Sequence, residues 1–163
     1  MIARLHRMGK GGEKMDFSDP YQTARVWARV YGGSADNVCS LPAQLAAWVL
    51  QCRSHSIAYY YLARLAPEVA PELRQLAQQC AAQANTLAAL YVSLTGKRLI
   101  RPQPVADTET DLPTLFSGLY QREIDCAQQL AEADGPHAET LRQQAKAQRR
   151  RAARLMELAA RYL

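Results

Sequence analysis

Apolar residues recur three and four positions apart over four long stretches of the chain, which is the spacing of amphipathic helices. The pattern predicts helices over about 41–66, 71–95, 112–133 and from after 136 to about 163. The residues expected to face the core are Leu45, Trp48, Val49, Cys52, Tyr59, Leu62 and Ala66, then Leu73, Leu76, Cys80, Leu87, Tyr91 and Leu94, and in the last helix Leu141, Ala145, Ala152, Leu155 and Ala159. One apolar face on each of four helices predicts an all-α fold, a four-helix bundle.

Local signals indicate where these helices begin and end. Ser40 and Asp111 can cap the first and third helices, and a proline stands two positions after each of them. Gly96 can take the left-handed conformation that commonly ends a helix. The Asp-Gly-Pro sequence at 134–136 predicts the turn between the last two helices.

The N-terminal part of the chain differs in character from the rest. Residues 1–16 are polar and contain glycine, which predicts a disordered segment before a single helical domain over 17–163. We expect Met15 to be the true start. A short helix is predicted from Asp19 to a Gly-Gly pair, with Trp27 docking it on the bundle.

The domain divides into hairpin one at 40–96, a crossover at 97–111 and hairpin two at 112–163. The crossover contains two prolines and lacks helical periodicity. In an extended conformation it can span about 50 Å, whereas the second helix is expected to be about 40 Å long. The crossover can therefore run the length of the bundle and allow the second and third helices to lie parallel.

The composition agrees with this fold class, because Ala, Leu, Gln and Arg are abundant while Val, Ile, Thr and Phe are scarce. A chain of 163 residues can bury a substantial core without disulfides. No apolar stretch approaches the roughly 20 residues that span a bilayer, so we expect a cytoplasmic protein without a membrane partner. Cys39, Cys52, Cys80 and Cys126 form no C-x-x-C pair, and we interpret them as reduced, small core residues.

The two hairpins align with each other at a constant offset, since Leu76 matches Leu141 and Gln83 matches Gln148, each 65 positions apart. The segment AYYYLARLAP, followed by a helix that closes on LAALYVSLTGKR, resembles the ferritin-like, rubrerythrin-type family over about residues 40–163. The resemblance implies two helical hairpins with a long crossover. It also implies two irons held by a Glu and a Glu-x-x-His from each hairpin.

The iron-binding positions implied by the resemblance are replaced almost throughout this chain. The first-helix Glu positions hold His55 and Tyr120, and the Glu-x-x-His positions hold Gln83 with Thr86 and Gln148 with Arg151. Glu123, one turn from Tyr120, is the carboxylate that remains. One carboxylate and one imidazole cannot hold two irons, so we expect no metal, no cofactor and no catalytic residue.

Two interpretations of these positions stay open. The residues predicted to face inward near the middle of the bundle are His55, Gln83, Tyr120, Glu123 and Gln148. In the favoured interpretation they form a hydrogen-bonded core network in which Arg151 pairs with Glu123 in place of the missing cations. In the alternative, His55 and Glu123 bind iron or another divalent metal in a divergent redox protein, with cysteine or water as further ligands.

Charge and exposed aromatics indicate partners. The last helix is strongly basic, and Lys97, Arg98 and Arg101 add positive charge in the crossover. A nucleic-acid-binding surface is the alternative there, but we favour a solvated helix face because aromatic residues are nearly absent. The run Tyr59–Tyr61 must place at least one ring outward, which suits a dimer interface. The sequence thus favours a non-catalytic interaction or scaffold module that forms a homodimer or binds a protein partner.

Overall fold

The computed structural model describes residues 40–100 and 111–163, and every long element in these ranges is a helix. The elements are α1 (Leu41–Leu65), a 3₁₀ turn (Pro67–Val69), α2 (Ala70–Thr95), α3 (Leu112–Glu132) and α4 (Ala138–Tyr162). The predicted all-α class is confirmed for this part of the chain, and the helix ends agree with the predicted ends to within one residue. The predicted segment 1–16, the short helix around Trp27 and the crossover residues 101–110 lie outside the described residues.

Side-chain caps and early prolines form the first turns of α1 and α3. Ser40 Oγ accepts a hydrogen bond from the Ala43 amide at 3.5 Å, and the Asp111 carboxylate accepts one from the Thr114 amide at 3.1 Å. A proline occupies the start of each helix, where no intrahelical amide bond is needed. Gly96 ends α2 with a φ of 68°, a conformation that costs glycine little.

Contacts between the helix ends establish their directions. Trp48, near the start of α1, donates its indole N–H to Gln129, near the end of α3, at 3.2 Å. Arg161 at the end of α4 donates to Glu72 at the start of α2, at 3.3 Å. Helix α1 is therefore antiparallel to α3, and α2 is antiparallel to α4. Since α1 and α2 form a hairpin, α2 and α3 are parallel, the arrangement that the crossover length allowed.

The two hairpins meet at equivalent positions of the internal repeat. Gln83 Nε2 donates to Gln148 Oε1 at 3.2 Å, and these two residues are 65 positions apart. When two units are related by a two-fold axis, only residues near the axis contact their own equivalents. This contact, together with the antiparallel pairing of α1 with α3 and of α2 with α4, is the arrangement expected if an approximate two-fold axis relates the hairpins.

The buried apolar side chains divide into two clusters at opposite ends of the helices. One cluster includes Tyr59, Leu73, Phe116 and Leu155, and the other includes Leu45, Trp48, Leu87, Leu130 and Leu141. Residues from all four helices take part in each cluster, so both hairpins share one core. No helix in the described ranges combines the length and apolar character that a membrane crossing requires.

Two predictions about individual faces can be compared with the structure. Leu94 was predicted to face the core, but it is 41% exposed. Leu94 lies in the last turn of α2, and the antiparallel α4 begins only at Ala138. The apolar pattern of α2 therefore extends past the part of this helix that α4 covers. The tyrosine prediction is confirmed, because Tyr60 is 44% exposed while Tyr59 is fully buried.

Candidate functional site

A group of buried polar side chains lies between the two apolar clusters, near the middle of the helices. The group, called here the polar cluster, consists of His55 from α1, Gln83 from α2, Glu123 from α3, and Gln148 and Arg151 from α4. Each of these side chains is at most 4% exposed. They occupy positions at which an amphipathic helix ordinarily carries an apolar residue.

Arg151 connects the members of the polar cluster through two guanidinium nitrogens. Its Nε donates to Oε1 of Glu123 at 3.3 Å, and its Nη2 donates to Oε2 of the same carboxylate at 3.1 Å. Nη2 also donates to Oε1 of Gln83 at 2.5 Å. The predicted pair of Arg151 and Glu123 is confirmed, with the two-point geometry that favours a buried ion pair.

Two further groups face the carboxylate of Glu123. The thiol of Cys80 donates to Oε1 at 3.3 Å. His55 Nδ1 lies 3.6 Å from Oε2, slightly further than a hydrogen bond reaches. The fully buried carboxylate is thus surrounded by a guanidinium, an imidazole and a thiol.

These contacts determine the protonation states. Burial alone would raise the pKa of Glu123, but His55 and Arg151 outweigh it and lower that pKa to about 2. Burial alone would lower the pKa of Arg151, whereas the charge of Glu123 raises it above its ordinary value. Both partners are therefore ionised at neutral pH. Burial and the nearby Glu123 charge raise the pKa of Cys80 well above its ordinary value, so the thiol keeps its proton.

The three cysteines within the described residues are buried free thiols, namely Cys52, Cys80 and Cys126. A hydrogen bond with Cys126 that the protonated Cys52 thiol makes, together with burial, raises the pKa of Cys52 well above its ordinary value. The thiolate is the form that attacks electrophiles and binds metals, so such thiols are unreactive. Their interpretation as core residues is confirmed, while Cys39 lies outside the described ranges.

Two of the candidate positions lie outside the polar cluster. Thr86 is exposed, and its hydroxyl donates to the Ala82 carbonyl of its own helix at 3.1 Å. Tyr120 is partly buried and packs against the apolar cluster that includes Tyr59, so its predicted place in the buried polar network is wrong although it contacts the core. Leu119 and Glu123, four positions apart and both fully buried, take the innermost line of α3 and turn Tyr120 toward the edge.

The sequence reasoning also missed two neighbours of the polar cluster. Tyr59 is fully buried, and its hydroxyl has no hydrogen-bond partner within the part of the chain that the structure describes. Cys80 provides the thiol that binds Glu123. Helical spacing was the available signal, because Tyr59 follows His55 by four positions and Cys80 precedes Gln83 by three.

The donor set does not suit the two irons that the family resemblance implies. Glu123 is the sole buried carboxylate in the described ranges, and Arg151 binds both of its oxygens. Within residues 40–100 and 111–163, no three His, Cys, Asp or Glu side chains are grouped so that they could hold a metal ion. Two irons require several anionic oxygens facing each other, and this cluster places a guanidinium there.

No family model matches the chain, and searches of curated proteins and of solved structures returned no match. The resemblance to ferritin-like proteins therefore stays a prediction. The function proposed below is supported by the packing of the helices and by the chemistry of the polar cluster.

Proposed function

We propose that this protein is a non-catalytic, ferritin-like helical bundle that acts as an interaction or scaffold module. One observation carries the proposal: Arg151 donates to both oxygens of Glu123 at the centre of the helices. The guanidinium provides the positive charge that a metal would otherwise bring to this carboxylate. A metal could use Glu123 only by displacing Arg151, which would leave a buried cation without its partner.

The ion pair lies within hairpin two, and Arg151 connects it to hairpin one. Glu123 belongs to α3 and Arg151 to α4, whereas Gln83, which accepts a further hydrogen bond from Arg151, belongs to α2. A polar network with defined hydrogen-bond partners favours one arrangement of the helices over shifted alternatives, because any shift leaves buried polar groups unpaired. We infer that the polar cluster serves to keep the packing of the hairpins unique.

Metal analysis tests the non-catalytic part of this proposal. We expect protein purified without a metal-affinity tag to contain less than about 0.1 metal ion per chain by mass spectrometry, because the cluster holds too few ligands. A chelator is expected to change the melting temperature by less than about 1 °C, since no bound metal stabilises the folded state.

The opposite result would favour the metal-binding alternative. Near-stoichiometric iron, manganese or zinc, together with a melting temperature that falls on chelation, would contradict the proposal. His55→Ala then identifies the ligand, because His55 Nδ1 is the cluster's buried imidazole nitrogen without a hydrogen-bond partner in the described ranges. Metal that is lost in this variant would place a divergent metal site at His55 and Glu123.

The outer face of α1 supports a self-association surface. Ile57 is 37% exposed and Tyr60 is 44% exposed, and at three positions apart they lie side by side on this helix. Exposed aromatic residues are enriched at protein interfaces, and a two-fold dimer brings the same patch of each subunit together. We propose that this face meets its counterpart on a second copy of the chain.

The dimer proposal predicts an effect that is specific to α1. Tyr60→Asp is expected to weaken dimerisation at least about tenfold, because it buries a new charge at the contact. Met156→Asp is the matched control, since Met156 is equally exposed, at 43%, but lies on α4. Sedimentation equilibrium measures both constants. A wild-type chain that is monomeric at about 100 μM, or equal effects of the two substitutions, would reject this interface.

A further inference from the structure

A solvent-open depression of about 250 Å³ lies between α2 and α4. It is lined by Glu72, Gln75, Leu76 and Gln79 from α2 and by Arg150, Arg151 and Arg154 from α4. Its lining is therefore rich in side-chain N–H donors. It shares Arg151 with the polar cluster but opens to solvent, so it forms a site distinct from the buried network.

The charges around the depression leave one cation unpaired. Glu72 contacts Arg161 at 3.3 Å, and Arg154 contacts Glu157 at 2.6 Å. Arg150 is exposed, and no ion pair or hydrogen bond within the described residues involves its guanidinium. Since the other charged side chains that line the depression are in ion pairs, its net positive charge comes from Arg150.

Arg151 contributes a hydrogen-bond donor whose position is fixed by contacts on the buried side of its guanidinium. Its Nε and Nη2 bind Glu123 and Gln83, whereas no protein group in the described ranges accepts a hydrogen bond from Nη1. The side chain is 3% exposed and lines the depression. Because the buried carboxylate fixes the guanidinium, its outer N–H groups are oriented before any ligand arrives.

We propose that this depression binds a phosphate group. Arg150 supplies the charge, Nη1 of Arg151 supplies a fixed donor, and the amides of Gln75 and Gln79, one turn apart on α2, supply donors without adding charge. Guanidinium groups match the spacing of phosphate oxygens. The tetrahedral oxygens of a phosphate can accept from both helices at once, which a planar carboxylate does less well.

The size of the depression favours a small ligand. Its volume of about 250 Å³ lies just below the usual range for drug-sized ligands, roughly 300–1,000 Å³. It therefore suits inorganic phosphate, pyrophosphate or a small phosphate ester. A nucleic-acid backbone offers the same phosphate chemistry, and the exposed Lys146, one turn before Arg150 on α4, could contact a further phosphate.

Two neighbouring arginines provide a matched test. Arg149 and Arg150 are adjacent, exposed residues of α4, but only Arg150 lines the depression. Isothermal titration of the full chain with pyrophosphate, at constant ionic strength, is expected to show saturable binding. Arg150→Gln is expected to raise the Kd at least about tenfold, and Arg149→Gln less than about twofold. Unchanged melting temperatures show that both variants fold.

Two results would overturn the site. One is the absence of saturable binding of phosphate and pyrophosphate up to about 20 mM, together with no selective binding of an oligonucleotide. The other is an equal loss of affinity in Arg149→Gln and Arg150→Gln, which would indicate a diffuse electrostatic attraction.

An oligonucleotide distinguishes the two sources of phosphate. Single-stranded DNA of about ten thymidine nucleotides spans the binding length of typical single-strand sites. If it binds and Arg150→Gln weakens it far more than Arg149→Gln does, the ligand is a nucleic-acid backbone at this site. If pyrophosphate binds selectively and the oligonucleotide does not, the ligand is a small phosphate compound.

Discussion

Arg151→Met and Glu123→Leu are each expected to lower the free energy of unfolding by roughly 3–5 kcal/mol. Either substitution leaves a buried charge without its partner, since Glu123 is 0% exposed and Arg151 is 3% exposed. The remaining ion keeps its desolvation penalty but loses the attraction that offset it. Equilibrium denaturation in urea, followed by circular dichroism, measures the loss.

The double variant Glu123→Leu with Arg151→Met shows whether the unpaired charge causes this loss. It removes both charges, so we expect it to be at least about 2 kcal/mol more stable than either single variant. Arg154→Met is the matched control, because Arg154 lies one turn further along α4 and pairs with Glu157 in solvent. That exposed pair contributes about 0–1 kcal/mol. Single variants that cost no more than this control would show that the buried pair does not stabilise the folded state in this way.

The protonation of Glu123 is expected to lower the free energy of unfolding by about 3 kcal/mol as the pH drops from about 5 to about 2. The pKa of this carboxyl is lowered from 4.5 to about 2. The folded protein therefore keeps Glu123 ionised in a pH range where the unfolded chain takes up a proton. When the pKa of a carboxyl is lower in the folded protein than in the unfolded chain, the carboxyl stabilises the folded state. This stabilisation is complete at pH values above the unfolded pKa, and it is lost as the pH falls through the folded pKa.

The groups that face Glu123 are consistent with this direction. His55 and Arg151 both favour its ionised form. Burial and the Glu123 charge raise the pKa values of Cys80 and Tyr59 well above their ordinary values, so neither group titrates between pH 5 and 2. Protonation of Glu123 then leaves Arg151 as a buried cation facing a neutral acid, which destabilises the folded state.

Glu123→Gln isolates this contribution, since glutamine has nearly the same shape and cannot ionise in this range. The quantity to measure is the free energy of unfolding of the wild type minus that of the variant, at pH steps from 7 to 2. We expect this difference to be largest above pH 5 and smaller by about 3 kcal/mol near pH 2, because the other carboxyl groups cancel. A constant difference would mean that the pKa of Glu123 is the same in the folded and unfolded chains, so that Arg151 and His55 do not lower it.

The helix ends could be predicted because their chemistry is local. The side chains of Ser40 and Asp111 accept hydrogen bonds from amides three positions later. Gly96 has a φ of 68°, the conformation expected of a glycine that ends a helix. Each signal depends on a few consecutive residues, so the order of amino acids alone contains it.

The candidate site was predictable only in part. The pairing of Arg151 with Glu123 followed from the cost of burying either charge alone, and the structure confirms it. The sequence did not predict that Thr86 is exposed, that Tyr120 lies at the edge of the core, or that the thiol of Cys80 contacts Glu123. These depend on how far each helix is rotated about its axis, and a step of one residue turns a side chain by about 100°.

The sequence by itself determined which segments are helical, where these helices end, and that His55, Gln83, Glu123 and Gln148 lie inside. Only the tertiary structure decided which faces meet: Trp48 with Gln129 across α1 and α3, and Gln83 with Gln148 across α2 and α4. Helix formation depends on contacts within about four residues, whereas these partners are 81 and 65 positions apart. Their pairing follows from the packing of whole helix faces against each other, which no local pattern of residues specifies.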